Sequence, residues 1–154
     1  MARIMNMDRC MNPRPVSIIA EVELERGMFV EIKGMAANNI WLAGEDDYEA
    51  YKVELATADT KIGDLLIHTS VPMQYDERLT EKDFVLEAGK VGRGHYVTVG
   101  DEITIAADLI NGEVEVGNEL TLAADGKLTT GAGLAKVVKV YNWNGQDSVM
   151  IRFI

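Results

Sequence analysis

Apolar and polar residues alternate with a period of two over much of this chain, and that alternation limits the folds it can adopt. Between Val16 and Leu24 every second residue is apolar, as in a strand that packs one face on a core. Further predicted strands cover residues 28–33, 51–55, 63–69, 95–105, 114–122, 134–141 and 147–153. Only Thr80-Glu81-Lys82-Asp83 is typical of a helical turn. The sequence therefore predicts an all-β protein, a compact barrel or sandwich of short antiparallel strands.

Two dipeptides near the C-terminus predict hairpins. Asp125-Gly126 and Asn144-Gly145 suit type I′ turns, whose two central residues need positive φ. The second turn sets a register in which one hairpin face is buried and the other is wet. Its predicted cross-strand pairs are Val140 with Val149, Val138 with Ile151, Lys136 with Phe153, Tyr141 with Ser148 and Lys139 with Met150.

A short segment of the chain is repeated. Residues 99–106, VGDEITIA, reappear seventeen residues later as VGNELTLA at 116–123, with a weaker copy, IGDLLI, at 62–67. Glycine followed by Asp or Asn suits a bent entry to a strand, because these residues tolerate positive φ. We predict that these segments are recurring turns that lead into strands.

Residues 1–15 differ from the rest of the chain, and we predict two parts: an extended arm over 1–15 and a single domain over 16–154. Arg3, Arg9 and Arg14 against Asp8 give the arm a charge of +2, three minus one. Its end, Pro13-Arg14-Pro15, disfavours a helix, since proline lacks a backbone donor and restricts the residue before it. The arm is either a frayed terminus or a segment that lies across a neighbouring subunit.

The charge balance bears on partners. Asp and Glu number 25 against 15 Lys and Arg, for a net charge of −10. Nucleic acids and anionic lipid surfaces attract clustered cations, so we predict neither as a partner. The charge either keeps the protein soluble or matches a basic partner. No run approaches the ~18 apolar residues of a membrane helix, and Arg3, Asp8 and Arg9 interrupt any signal-peptide core.

Residues that could perform catalysis are few and separated. His68 and His95 are the only imidazoles, and both fall within predicted strands, where a hydrogen-bonded structural histidine is more common than a general base. None of the serines at 17, 70 and 148 has a nucleophile-elbow context. The single cysteine, Cys10, forms no internal disulfide. We predict that the protein is not an enzyme.

Cofactor and metal motifs are also poorly matched. The two histidines and Cys10 have no zinc-site spacing. The acidic run Glu45-Asp46-Asp47 with Glu49 lacks the ligand spacing of a calcium loop. The glycines of 131–133 precede a predicted strand, whereas a dinucleotide loop follows a strand and opens a helix. Gly92-Arg93-Gly94 is interpreted as a flexible turn. We predict no cofactor and no metal.

The two tryptophans are candidate contact residues. Trp41 and Trp143 could stack on a sugar together with Tyr141, or anchor a protein interface. We favour interface anchoring. The predicted partner-binding residues are therefore Arg3, Arg9 and Arg14 of the arm, with Trp41 and Trp143.

The order of turns and strands in residues 60–154 resembles that of a known family. The strand entries Gly100-Asp101 and Gly117-Asn118, the turn at 125–128, the glycines at 131–133 and the closing strand at 147–153 are together similar to small β-barrel decoration, or cement, proteins of tailed bacteriophage heads. The resemblance implies a non-enzymatic virion protein on the capsid surface. It also implies that the protein binds the shell of major capsid protein as a homo-oligomer, with a trimer favoured.

Three alternatives to a decoration protein stay open. The first is another virion part, such as a head fibre or a tail protein. The second is a carbohydrate- or ligand-binding β-module that uses the tryptophans. The third is a small barrel enzyme built around His68 or His95.

Overall fold

A computed structural model describes residues 5–10, 15–35, 50–70, 85–143 and 145–154, and over these residues the fold is all-β, as predicted. The fourteen strands are β1 (Met5–Arg9), β2 (Pro15–Ala20), β3 (Leu24–Glu25), β4 (Phe29–Met35), β5 (Ala50–Leu55), β6 (Leu65–His68), β7 (Val85–Leu86), β8 (Val91–Tyr96), β9 (Glu102–Ala106), β10 (Ile110–Asn111), β11 (Glu119–Leu122), β12 (Leu128–Thr130), β13 (Ala135–Trp143) and β14 (Gln146–Phe153).

Helical structure within the described ranges is limited to two 3-10 turns, at Ile62–Asp64 and Ala107–Leu109. The helical turn predicted at 80–83 lies outside the described residues. No helix in the described part of the chain is long and apolar enough to span a membrane.

Five strands close into a barrel in the order β2-β5-β4-β6-β8, with β8 pairing back onto β2. The β2–β5 pair is parallel and the other four pairs are antiparallel. Strands β3 and β7 form a separate two-stranded sheet. The barrel core consists of Ile18, Ala20, Leu24, Val30, Val53, Leu66 and Leu86.

The interpretation of Gly92-Arg93-Gly94 as a flexible turn is wrong, because these residues form the middle of β8. A Cβ on Gly92 would lie 2.3 Å from Leu86 Cδ2 and 2.6 Å from Ser70 Oγ. A larger residue at this position of the barrel wall would therefore have to displace the Leu86 and Ser70 side chains.

Seven strands form the second sheet, in the order β1-β9-β14-β13-β11-β12-β10. Between this sheet and the barrel lies a larger core, in which the Phe29 and Phe153 rings meet edge to face with centroids 6.0 Å apart. Leu65 and Ile67, both fully buried, reach this core from β6. The barrel wall thus contributes to two cores, one inside the barrel and one against the sheet.

The first strand comes from the predicted arm. Met5–Arg9 pairs antiparallel with β9 of the same chain and forms one edge of the seven-stranded sheet. Residues 1–4 and 11–14, which include Arg3 and Arg14, lie outside the described residues.

The repeated segment forms the same turn twice. At the first copy the Asp101 N–H bonds to the Thr98 carbonyl, and the Asp101 carboxylate accepts the Thr98 N–H at 3.0 Å. Gly100 has φ of +94° and donates its N–H to the Phe153 carbonyl at 2.8 Å. This turn ends β8 and starts β9, so the prediction of one continuous strand over 95–105 is wrong.

The second copy forms an equivalent turn at residues 115–118, with the same pattern of hydrogen bonds. Asn118 Oδ1 accepts the Glu115 N–H at 2.8 Å, and the Asn118 N–H bonds to the Glu115 carbonyl. Gly117 has φ of +95° and donates to the Val137 carbonyl at 2.9 Å. The prediction of recurring turns that lead into strands is confirmed for these two copies, although the strand predicted over 114–122 begins only at residue 119.

The β13–β14 hairpin follows the predicted register near its turn and departs from it further along. Trp143 pairs with Gln146 across a two-residue loop, and Val140 pairs with Val149 as predicted. A bulge between Val137 and Lys139 then shifts the pairing by one residue. The predicted pairs of Val138 with Ile151 and Lys136 with Phe153 are therefore wrong.

The observed pairs beyond the bulge are Val137 with Ile151, Lys136 with Arg152 and Ala135 with Phe153. The shift buries Val137 and Ala135 completely and leaves Lys136 exposed.

The predicted two-residue turn at Asp125-Gly126 is wider than expected. The Ala123 N–H bonds to the Lys127 carbonyl, so three residues lie between them. Gly126 has φ of +75° and is buried, and its carbonyl accepts the Phe29 N–H at 2.8 Å. This loop therefore connects the seven-stranded sheet to the barrel.

Candidate partner-binding surface

One side of the seven-stranded sheet faces away from the core and carries basic and aromatic side chains. We call this side the outer face. Cross-strand pairing places its members on β9, β11, β13 and β14. They are Glu102, Thr104, Glu119, Lys136, Lys139, Tyr141, Trp143, Gln146, Ser148, Met150 and Arg152. Three of these, Glu102, Thr104 and Ser148, are buried beneath their neighbours.

The bulge in β13 brings two lysines onto this face. Lys136 and Lys139 are three residues apart, so a regular strand would point them to opposite sides of the sheet. The extra residue restores the alternation, because two residues of a bulged strand oppose one on its partner. Lys136 then pairs with Arg152, and Lys139 pairs with Met150. Both lysines are exposed.

Cross-strand contacts order several side chains of the outer face. Arg152 donates from Nη2 to Glu102 Oε1 at 2.9 Å and from Nε to the same oxygen at 3.3 Å. The Tyr141 hydroxyl lies 2.7 Å from Thr104 Oγ1. Lys139 Nζ lies 4.4 Å from the centroid of the Tyr141 ring, a cation–π distance. Because the lysine covers one face of this ring, Tyr141 is poorly placed to stack on a sugar.

The charge of the outer face differs in sign from that of the chain. Its described side chains include three bases, at 136, 139 and 152, and two acids, at 102 and 119. In the whole chain acids outnumber bases by 25 to 15. The ion pair compensates Arg152 with Glu102. The exposed lysines are thus available to an acidic partner.

The structure locates two of the five predicted partner-binding residues. Trp143 is half-buried and ends β13 on the outer face. The backbone of Arg9 pairs with Glu102 in the β1–β9 ladder. Both belong to the seven-stranded sheet, in which strands β9 and β14 lie between β1 and β13. Arg3, Arg14 and Trp41 lie outside the described residues. Sequence reasoning missed Lys136, Lys139 and Arg152.

His68 is a hydrogen-bonded histidine at the end of β6. Its side chain is fully buried, with Nδ1 2.9 Å from the Glu25 carbonyl oxygen and Nε2 2.7 Å from Ser70 Oγ. A carbonyl only accepts, so Nδ1 carries the proton and Nε2 accepts from the serine. Ser70 Oγ in turn accepts the Arg93 N–H at 2.9 Å. Burial lowers the pKa of His68, and the Arg26 charge lowers it further, while the bond to Glu25 opposes both.

This serine–histidine pair has part of the geometry of a catalytic dyad, which the sequence did not reveal. A nucleophilic serine has to reach substrate, but Ser70 is only 5% exposed and His68 is 0% exposed. The hydroxyl is also within 2.6 Å of where a Gly92 Cβ would lie. The pair fits a structural hydrogen-bond network in the barrel wall.

His95 lies on the neighbouring strand. It pairs with Ile67, and its Nδ1 is hydrogen-bonded to Thr69 Oγ1. Partial burial lowers its pKa, with a smaller contribution from the charge of Arg93. The ring is only half-buried, and its Nδ1 partner is a neutral hydroxyl.

The described residues do not support a metal site or a phosphate site. Within the described ranges no three His, Cys, Asp or Glu side chains converge on a common point. The acidic run at 45–49 lies outside those ranges. The glycines at 131–133 precede β13, as predicted from the sequence.

Comparison with known proteins yields similarity to solved structures and to no family. No family model and no curated protein matches the chain. Among solved structures, the chain is similar to the head fiber gp8.5 N base of bacteriophage phi29 at 10% sequence identity and a TM-score of 0.47. The similarity covers 93% of this chain and 98% of that chain. Similarity of this degree carries no functional assignment.

Proposed function

We propose that this chain is a virion structural protein, a decoration protein that binds the outside of a bacteriophage head shell and stabilises it. The observation that carries the proposal is the outer face, where exposed lysines and a half-buried Trp143 are held on paired strands in an otherwise acidic protein. A binding surface on strands is positioned by backbone hydrogen bonds and by the core beneath it. Such a surface suits many weak contacts that are multiplied by copy number.

The family resemblance supports the same function. Much of the stretch that resembles phage decoration proteins, residues 60–154, forms strands β9 to β14 of the seven-stranded sheet. The outer face lies mainly on these strands. We propose that its partner is the shell of major capsid protein, and that the protein acts as a homo-oligomer, with a trimer favoured by the resemblance.

We further propose that the protein is not an enzyme and binds neither nucleic acid nor membrane. The buried bonds of His68 to Glu25 and Ser70 support a structural role for that histidine. The net charge of −10 opposes association with phosphate-rich surfaces.

Co-sedimentation with capsids tests the proposed function. Purified protein is mixed with expanded capsids of the virus that encodes it, or with free capsid-protein subunits, and centrifuged through a sucrose cushion. We expect saturable binding to capsids and not to subunits, and we expect salt to weaken it through screening. Absence of co-sedimentation at every salt concentration, or equal binding to subunits, would refute the proposal.

A matched pair of charge-reversal variants locates the binding surface. Lys136→Glu with Lys139→Glu should weaken capsid binding at least ten-fold, since it makes the outer face acidic. Lys33→Glu with Lys52→Glu makes the same charge change on the barrel and should have little effect. Gold-labelled antibody on intact virions then separates a shell lattice from a head fibre or a tail position.

A further inference from the structure

The second half of β13, residues 138–143, has an edge that no described strand covers. Strand β11 pairs with β13 only at Ala135 and Lys136. The turn before β11 extends the bonding as far as Val137, through bonds to residues 117 and 118. From residue 138 to residue 143, β13 has β14 on one side and no described strand on the other.

The register shows which backbone groups face this edge. In an antiparallel ladder, positions alternate between pairs that exchange hydrogen bonds and pairs whose N–H and C=O groups point outward. A two-residue turn makes Trp143 and Gln146 a hydrogen-bonded pair, and Tyr141 forms the next one. The N–H and C=O groups of Val140 and Asn142 therefore point away from β14, toward the uncovered edge.

A groove of about 650 Å³ lies beside this edge. Its lining includes the cross-strand pair of Val140, which is 48% exposed, and Val149, which is buried. The remaining lining includes Val114 and three acids, Glu113, Glu115 and Asp147, and no basic side chain among the described residues. The groove thus combines apolar and acidic side chains, and it lies next to backbone groups of β13 that no described strand pairs with.

We propose that β13 accepts an extended segment of a partner protein as an additional strand, and that this segment alternates apolar and basic residues. Strand addition uses main-chain bonds for affinity and pockets for alternate side chains for specificity. Side chains of an added strand alternate between the two sides of the sheet. The basic ones lie on the groove side, where their alkyl stems pack against Val140 and their charges lie beside Glu113 and Glu115. The apolar ones lie on the opposite side, next to Trp143 at the end of β13. A second copy of this chain is a less suitable occupant of this groove, because its acids outnumber its bases by 25 to 15 and the groove itself is lined by acids. This argument concerns the groove alone and not contacts between copies at other surfaces.

The groove lies on the opposite side of the sheet from the outer face, and the inference does not depend on the proposed function. The probe is a fluorescein-labelled seven-residue peptide of alternating lysine and valine, and anisotropy measures its binding to the full chain. We expect saturable binding. The same peptide with alternate backbone amides N-methylated keeps its charge and apolar surface but loses its donors, and it should bind at least ten-fold more weakly.

Variants at the edge give the second comparison. Val140→Pro removes one outward N–H without removing a bond to β14, so it should reduce affinity at least ten-fold. Val140→Thr keeps the N–H and the branched shape and should bind nearly as the parent does. Melting curves check that the proline variant folds. The N-methylated peptide tests the complementary bonds, from the peptide N–H groups to the β13 carbonyls, on unaltered protein.

The remaining binding results identify which kind of segment occupies the β13 edge. Equal binding of both lysine–valine peptides, or no binding of either, would overturn strand addition. A neutral peptide of alternating valine and threonine should bind several-fold more weakly, and Glu113→Gln with Glu115→Gln should abolish that difference. Equal binding of the neutral peptide to the parent protein would overturn the basic character of the partner. Self-association that Val140→Pro abolishes would show that a second copy occupies the edge instead.

Discussion

Replacing Gly126 by alanine tests whether the loop between β11 and β12 holds the barrel and the seven-stranded sheet together. Gly126 combines a φ of +75° with a carbonyl that accepts the Phe29 N–H at 2.8 Å. A Cβ at this position would lie 2.9 Å from the Phe29 carbonyl oxygen and 3.0 Å from Leu55 Cδ2. Since the first of these is a backbone atom, the loop would have to move away from β4.

The expected loss has two contributions. A left-handed conformation costs a non-glycine residue about 1–2 kcal/mol. Leaving a buried backbone donor without its acceptor costs about 1–3 kcal/mol more. We therefore expect Gly126→Ala to lower the free energy of unfolding by about 2–5 kcal/mol.

Gly89→Ala is the matched control for Gly126→Ala. Gly89 has a similar φ of +77°, but a Cβ there would meet no heavy atom within 4 Å. Only the conformational cost of about 1–2 kcal/mol should remain. Urea titrations followed by circular dichroism measure both variants. Equal losses would refute the reasoning, because they would show that contact between the loop and the barrel contributes nothing.

Two further predictions concern the core and the histidines. Ile151→Ala should lower the free energy of unfolding by about 2–5 kcal/mol, because it leaves a cavity opposite Val137. Met150→Ala, on the outer face, should lower it clearly less. Equal losses in urea titrations would mean that the two faces are wrongly assigned. Burial lowers the pKa of His68 and of His95, so the unfolded chain binds more protons just below pH ~6.5 and stability falls as the pH drops from 7 toward ~5.5. The slope from the buried His68 is at most ~1.4 kcal/mol per pH unit, and that from the half-buried His95 is smaller because solvent screens its charge. His68→Gln should flatten this slope in urea titrations at several pH values, and an unchanged slope would show that the His68 pKa is not lowered.

The sequence predicted the fold class and the strands that follow local rules. Alternation identifies β5, and the Asn144-Gly145 dipeptide identifies the hairpin turn together with the pairs nearest to it, Val140 with Val149 and Tyr141 with Ser148. These features depend on contacts between residues that are close in the chain. The order of strands in the barrel and the sheet depends on contacts between distant residues, and alternation does not encode it.

Gly92 shows why a local interpretation of glycine failed. Two glycines around an arginine are typical of a turn, but in this chain they lie in a barrel strand. The reason is the space taken by Leu86 and Ser70, from β7 and from the end of β6. Their proximity to Gly92 is a consequence of barrel closure, so no reading of neighbouring residues could reveal it.

The lysines of the outer face were predictable in principle from the cost of burying charge. An unbroken β13 that keeps Val140 opposite Val149 would place Lys136 opposite Phe153 on the core face, which costs several kcal/mol for an unpaired charge. A strand avoids this cost by adding one residue between Lys136 and Lys139, and the bulge between Val137 and Lys139 does so. The same shift brings Val137 and Ala135 into the core. Two lysines three residues apart in an otherwise alternating strand therefore indicate both a bulge and a basic outer face.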